Sequence, residues 1–332
     1  MSNKIALTGI KPSGTPHIGN YLGMNRPALE LAKEYQAFYF IADYHALTTV
    51  RDPETMKQLT YEVAATWLAL GLDPDKVIFY RQSDIPEVME LTWILACFTS
   101  KGLLNRAHAY KAAVDENVEK GLDPDKGINA GLFFYPALMA ADILLFDTNF
   151  VPVGLDQKQH IEIARDMAQA INSNYGSDVL TLPEAVIREE VMTIPGLDGR
   201  KMSKSYDNVI PIFAPSDELR KSVMRIVTDS RRPEDPKDPE TDNVFAIYKH
   251  FATPEDITRV EKGYLEGGLA YSQIKNELYE LLEAEFSEAR ERYGEYIQDW
   301  EYLDQVLLQG AEKARKLSIP KIAKVRTAIG VD

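Results

Sequence analysis

Four short runs of apolar, β-branched and aromatic residues recur along the first half of the chain: KIALTGI (4–10), AFYFIAD (37–43), KVIFYRQ (76–82) and NFVPVGL (149–155). Each is too short for a typical helix and about the right length for a strand. The segments between them are amphipathic. DPETMKQLTYEVAATWLALGL (52–72) carries helix punctuation, with Asp52 as an N-cap, Pro53 in the first turn and Gly71 near the end. Strands alternating with helices predict an α/β domain, a doubly wound and mainly parallel sheet with helices on its faces.

From about residue 214 the pattern turns helical. PSDELRKSVMRIV offers Ser216 as an N-cap with Asp217 and Glu218 in the first turn, and Thr253-Pro254-Glu255-Asp256 is a second helix start. In SQIKNELYELLEAEF, Ile274, Leu278, Leu281, Leu282 and Phe286 follow the helical period. RRPEDPKDPETDN (231–243), dense in Pro and charge, reads as a surface loop. The expected division is 1–213, an α/β catalytic domain with a helical insertion, and 214–332, a helical domain. GLDPDK occurs at 71–76 and again at 121–126; it is turn chemistry, too short to be a structural repeat.

With 332 residues, 45% of them hydrophobic and 27% charged, the composition is that of an ordinary soluble protein. The single cysteine, Cys97, sits in the apolar run WILACF and reads as part of a buried helix face. No CxxC pair exists to build a zinc or iron–sulfur site. The N-terminal residues read as a first strand rather than a signal peptide, and no apolar run reaches the ~20 residues of a membrane span. The expected location is the cytoplasm. The net charge of −14 argues against non-specific nucleic-acid binding, which relies on neutralising phosphates. A specific RNA would need local basic patches. Arg220, Lys221, Arg225, Arg231 and Arg232 form one candidate. Lys313, Arg315, Lys316, Lys321, Lys324 and Arg326 form another. Solvated helix faces are the plainer reading of both.

After the first strand comes TGIKPSGTPHIGNYLG (8–23). A strand entering a glycine-containing turn and then a helix is where an α/β fold binds phosphate. Neither GxGxxG nor GxxxxGK[ST] is present, so the usual dinucleotide and P-loop readings fail. Instead His17-Ile18-Gly19-Asn20 opens the helix. His17 and Asn20 can donate to phosphate oxygens, and Gly19 leaves room for an adenine or ribose. GRKMSKSYDN (199–208) concentrates three cations and two serines in an acidic chain. In YPALMAADILL (135–145), Tyr135, Met139 and Asp142 share one helix face. An aspartate on such an apolar face is costly unless a donor satisfies it.

His-Ile-Gly-Asn and Lys201-Met202-Ser203-Lys204-Ser205 resemble the paired "HIGH" and "KMSKS" signatures of class I aminoacyl-tRNA synthetases. The likeness is closest to the bacterial tryptophanyl-tRNA synthetase family. It runs through VPVGLDQKQH (151–160) and VTDS (227–230) and is strongest between residues 8 and 208. The resemblance implies a Rossmann-like sheet with a helical C-terminal domain for the tRNA anticodon. It implies ATP with Mg²⁺, L-tryptophan and tRNA(Trp) as substrates, and a homodimer. The implied reaction forms tryptophanyl-adenylate and transfers it to the tRNA's 3′-terminal adenosine. Lys201 and Lys204, with His17 and Asn20, would carry the chemistry on the phosphates.

Residue by residue, the resemblance implies that Lys11, Pro12, Ser13, Gly19 and Asn20 contact ATP, as does the Lys201–Ser205 loop. Gly154, Leu155 and Asp156 would hold the ribose, and Val191 and Met192 would border the adenine. Asp142 would accept from the indole N–H, with Leu7, His45, Tyr135, Met139, Val151 and Val153 lining the pocket. Gln157 and Lys111 would help place polar groups. Lys11, Leu7 and Leu155 depart from the residues common in the family. Met139 argues against the related tyrosine-specific enzymes, which typically have glutamine there. The alternatives to a tryptophan–tRNA ligase are a tyrosine–tRNA ligase and a catalytically silent paralogue that binds tryptophan or RNA. His160 and His108 read as structural histidines, since their neighbours give no metal-ligand set.

Overall fold

The computed structural model describes residues 4–12, 14, 16–153, 158–176, 179–187 and 194–332, without the side chains of residues 153, 186 and 187. Among them, five strands form one parallel sheet: β1 (Ile5–Ile10), β2 (Gln36–Ile41), β3 (Ile78–Arg81), β4 (Phe150–Val153) and β5 (Glu184–Ile187). Their order is β3-β2-β1-β4-β5. The chain runs outward from β1 to β3 and then returns to place β4 on the other flank of β1. That reversal opens a crevice at the carboxyl ends of β1 and β4, where such sheets bind ligands.

The connecting helices are α1 (Ile18–Asn20), α2 (Arg26–Glu34), α3 (Asp43–Ala46), α4 (Pro53–Ala69), α5 (Pro86–Cys97), α6 (Lys101–Asn105), α7 (His108–Glu119), α8 (Ala130–Leu144) and α9 (Lys158–Tyr175). A π-helical turn, Tyr21–Asn25, joins α1 to α2. The remainder is helical: α10 (Ser216–Met224), α11 (Asn243–Tyr248), α12 (Pro254–Glu266), α13 (Tyr271–Tyr296) and α14 (Trp300–Ile329). None of the described helices is long and apolar enough to cross a membrane.

Alternate residues of β2 feed opposite layers, as the strand's two-residue period requires. Phe38 and Phe40 pack with Leu7, Tyr80 and the apolar faces of α5, α8 and α9. Tyr39 and Ile41 pack with Trp67 and Leu68 of α4 and with Leu303 and Leu307 of α14. Helices α10 to α13 bury Leu219, Val223, Val260, Ile274, Leu278, Leu282 and Phe286 in a cluster that also takes in Ile18, Tyr21 and Met202. The last helix does not stay with them. α14 returns to the sheet, where Gly310 lies against the backbone of Phe79 in β3.

The four expected strands are present with trimmed ends, and Asp52 and Thr253 cap α4 and α12 through bonds to Thr55 N (2.8 Å) and Asp256 N (3.2 Å). The fifth strand, EAVI, is too short to stand out in the sequence; pairing with β4 defines it. Other expectations are corrected. Cys97 is exposed, because the buried stripe of α5 runs through Val88, Leu91, Ile94 and Leu95 instead. The position before α10 belongs to Pro215, and Ser216 donates to Glu283 Oε1 at 2.7 Å rather than capping. The 231–243 loop is not wholly at the surface. Lys237 is 2% exposed and donates to the carbonyls of Arg232, Pro233 and Asp235, so its charge ties the loop together. Part of the C-terminal basic cluster is engaged within the fold, while Lys316 and Lys324 stay exposed. Arg315 pairs with Glu87 (2.8 Å), Lys321 with Asp147 (2.5 Å) and Arg326 with Glu90 (2.5 Å), which fastens α14 to the α/β layer.

Candidate active site

The carboxyl end of β1 leads into α1, whose N-cap is His17. Its Nδ1 accepts from Asn20 N at 3.3 Å, while Asn20 Oδ1 accepts from His17 N at 3.2 Å, a reciprocal capping box. With Nδ1 accepting, the neutral ring carries its proton on Nε2 as a donor. Burial, and then the Lys204 ammonium, lower the His17 pKa to about 4, so the ring is neutral near pH 7. His17 is also bridged to Pro211, with Ile18 N donating to Ile210 O at 3.0 Å.

The second motif lies against the first. Gly19 N donates to Met202 Sδ at 3.4 Å, and Met202 is 5% exposed among Ile18, Ile194 and Ile210. A side chain at Gly19 would meet the His17 ring at 3.0 Å and Met202 Cβ at 3.6 Å, so here the glycine makes room for protein contacts. The loop around Met202 is organised by Asn208, which is 2% exposed. Its Oδ1 accepts from Ser203 N (2.8 Å), and its Nδ2 donates to Asp198 Oδ1 (2.6 Å) and Lys201 O (3.1 Å). Arg200 is occupied, pairing with Asp198 at 2.6 Å and lying 4.5 Å above the Tyr206 ring. Ser203 and Ser205 hydroxyls bond each other at 2.7 Å. The Lys204 ammonium reaches the Gly14 turn, within 3.4 Å of where a Cβ would stand, and partial burial lowers its pKa.

Close to this loop contact, a cavity of about 490 Å³ opens between β1, β4, α3 and α8. It is lined mainly by apolar side chains, including Leu7, Met24, Phe40, Met139 and Val151. Asp142, 2% exposed, is the carboxylate in its wall. Burial raises the Asp142 pKa, and hydrogen bonds from His45 and Gln82 oppose that rise. His45 Nε2 lies 3.1 Å from Oδ2, and Gln82 Nε2 lies 2.9 and 2.8 Å from Oδ1 and Oδ2. Tyr135 lines the cavity, bonds His160 through its hydroxyl and is pushed up to about 12 by burial. At the same cavity, Lys11 Nζ donates to Thr48 Oγ1 at 3.3 Å, and partial desolvation lowers its pKa.

The structure thus gathers Leu7, Lys11, His45, Tyr135, Met139, Asp142 and Val151 around one cavity. It gathers His17, Gly19, Asn20, Met202 and Lys204 at one loop contact. Pro12 is buried next to Lys11, and Lys201 is exposed beside Met202. Lys111 stands exposed on α7, two residues from the lining residue Ala109. Ser13, Gly154, Leu155, Asp156, Gln157, Val191 and Met192, and the Val153 side chain, lie outside the described residues. His160 is buried and bonded to the Tyr135 hydroxyl. Residues at the site that escaped sequence reasoning include Met24, Phe40 and Thr48 of the cavity, and also Gln82 and Asn208. Gln82 had a usable signal, its place directly after the carboxyl end of a parallel strand. Asn208 had none beyond its closeness to the basic motif.

A family model described as tRNA synthetases class I (W and Y) matches residues 2–287. The tryptophan–tRNA ligase of Pseudomonas aeruginosa is 54% identical over 329 residues, which cover 98% of this chain and 73% of that protein. That of Bordetella parapertussis is 52% identical over 332 residues, covering 99% and 73%. The crystal structure of Campylobacter jejuni tryptophanyl-tRNA synthetase, complexed with ADP and tryptophan, superposes with a TM-score of 0.87. It is 48% identical, over 98% of this chain and 99% of that one. A tyrosyl-tRNA synthetase from Archaeoglobus fulgidus, 18% identical with a TM-score of 0.66, shares the fold. With two motifs meeting beside a cavity walled by one buried carboxylate, and relatives matching over nearly all of this chain, the chain belongs to the tryptophanyl-tRNA synthetase family of class I.

Proposed function

We propose that this chain is a tryptophan–tRNA ligase that activates L-tryptophan with ATP and passes it to the 3′-terminal adenosine of tRNA(Trp). The observation that carries the reading is Asp142, a buried acceptor in the wall of a mainly apolar cavity close to the contact of Gly19 with Met202. An indole N–H completes that carboxylate. An amino acid without the donor, such as phenylalanine, leaves it unpaired, the situation that gives hydrogen-bonding sites their strong discrimination. Met139 keeps the slot apolar, which suits a bicyclic ring better than a phenol.

In the first step the tryptophan carboxylate attacks the α-phosphorus of ATP; a P–O bond forms and the bond to pyrophosphate breaks. Lys201 and Lys204 stabilise charge developing on the phosphates, and neutral His17 donates from Nε2. Asn20 holds His17 in that tautomer. Lys11, Pro12 and Gly19 border the nucleotide. Mg²⁺ would enter as part of the substrate, on ATP's phosphates. In the second step the 2′-hydroxyl of the tRNA's terminal adenosine attacks the activated carbonyl and releases AMP. We assign residues 1–213 to catalysis and 214–332 to the anticodon side, with the enzyme acting as a cytoplasmic homodimer.

Amino-acid-dependent ATP–pyrophosphate exchange with tryptophan, tyrosine and phenylalanine tests this. Exchange with tryptophan alone, lost in Asp142→Ala, is the expected result. Exchange with tyrosine would make the chain a tyrosine–tRNA ligase; no exchange by folded protein would make it a silent binding paralogue.

A further inference from the structure

We propose that Gln82 is the positioning residue that holds Asp142 as an ionised acceptor, and thereby sets which aromatic amino acid the cavity admits. The proposal rests on the reading of Asp142 as the group that meets the indole N–H. A carboxyl in an apolar wall tends to keep its proton, and a protonated Asp142 would act as a donor. It would then tolerate side chains that offer no N–H. Gln82 is fully buried, and its amide nitrogen lies within hydrogen-bond distance of both carboxylate oxygens. The amide's orientation is fixed from the other side, since Gln82 Oε1 accepts from His45 N at 3.3 Å. A flipped amide would set its oxygen against the carboxylate and leave both acceptors without donors.

The neighbours of Gln82 keep it there. Arg81 pairs with Asp84 (2.8 Å) and with Asp304 of α14 (2.7 Å). Ser83 donates from its backbone to Asp43 Oδ1 at 3.0 Å and from its hydroxyl to Oδ2. Three consecutive residues at the end of β3 are thus tied to three different parts of the fold, and the middle one faces the site. A carboxylate oxygen accepts about two hydrogen bonds. Among the described residues, Oδ2 receives Gln82 and His45, whereas Oδ1 receives Gln82 alone. The remaining acceptor position is on Oδ1, and Asp142 lines the cavity.

The experiment is pyrophosphate exchange per titrated active site with tryptophan and with its benzothiophene analogue, in which sulfur replaces the indole N–H. The variants are Gln82→Met, which keeps the volume, and Gln82→Asn, which withdraws the amide by one methylene. Wild type is expected to favour tryptophan by about 10²-fold or more. In both variants the preference falls about tenfold or more, through a higher KM for tryptophan with kcat little changed. A merely structural role would reduce the number of active sites and leave the preference intact, and that result overturns the proposal. If one variant does not fold, the other decides. If wild type does not prefer tryptophan, or Asp142→Ala keeps the preference, the reading of the cavity itself fails, and the role of Gln82 with it.

Discussion

The backbone N–H of Gly19 donates to the sulfur of Met202, a contact 3.4 Å long between residues 183 positions apart. It fixes the loop carrying Lys201 and Lys204 against the helix start that carries His17 and Asn20. Met202 is 5% exposed, so its side chain holds the contact mainly by packing. Met202→Ala is expected to cost about 2–5 kcal/mol through the cavity it leaves. Met202→Leu conserves volume, loses only the weak sulfur acceptor and should cost less than about 1.5 kcal/mol. Denaturant unfolding of the two variants checks the order. Equal destabilisation would mean the sulfur bond, rather than packing, joins the motifs.

His17 gives a pH-dependence with a definite sign. Its pKa falls from 6.5 to about 4 because burial and the Lys204 charge disfavour the imidazolium. In that interval the unfolded chain binds a proton that the native ring does not, so this residue makes stability rise with pH from about 4 to 6.5. Above 6.5 it contributes no slope. In His17→Asn the slope of unfolding free energy against pH should flatten across that window. An NMR titration placing the His17 midpoint near 6.5 would refute the argument.

Lys204 should show its effect in the chemical step. Its ammonium is partly desolvated and stands at the Gly14 turn beside His17, where phosphate charge would develop. Lys204→Ala is expected to slow adenylate formation by about 10²–10³-fold, the size seen when one preorganised donor to a developing charge is removed. Single-turnover kinetics separate this from binding. A variant with unchanged rate and a raised KM for ATP would reduce Lys204 to a ground-state contact.

The parallel sheet and four of its five described strands were legible because short apolar runs with turns between them leave few other folds. Tyr135, Met139 and Asp142 were legible as a set because a helix repeats a face every three to four residues. What the sequence hid were partnerships across long separations. Nothing local says that Gln82 will meet Asp142, or that Asn208 will bond Ser203, Lys201 and Asp198 at once. The pairing of three C-terminal basic residues was hidden for the same reason. Glu87, Glu90 and Asp147, which Arg315, Arg326 and Lys321 meet, lie more than 170 positions away.

The same long-range logic makes Gly310 a sensitive position. It lies in α14 where that helix crosses β3, and a Cβ there would come within 1.7 Å of the Phe79 carbonyl oxygen. The obstacle is strand backbone, which cannot rotate aside as a side chain can. In an exposed helix Gly→Ala would be favourable by about 1 kcal/mol. Here the close approach should reverse the sign, since overpacking of this kind costs about 1–3 kcal/mol. Displacing α14 also pulls on Asp304, which pairs with Arg81 next to Gln82. Gly310→Ala should therefore lower the thermal midpoint and raise the KM for tryptophan, although residue 310 does not line the cavity. Leu308→Ala, on the exposed side of the same helix, should change neither. A Gly310→Ala protein as stable as wild type would show that α14 can lift off the sheet at little cost.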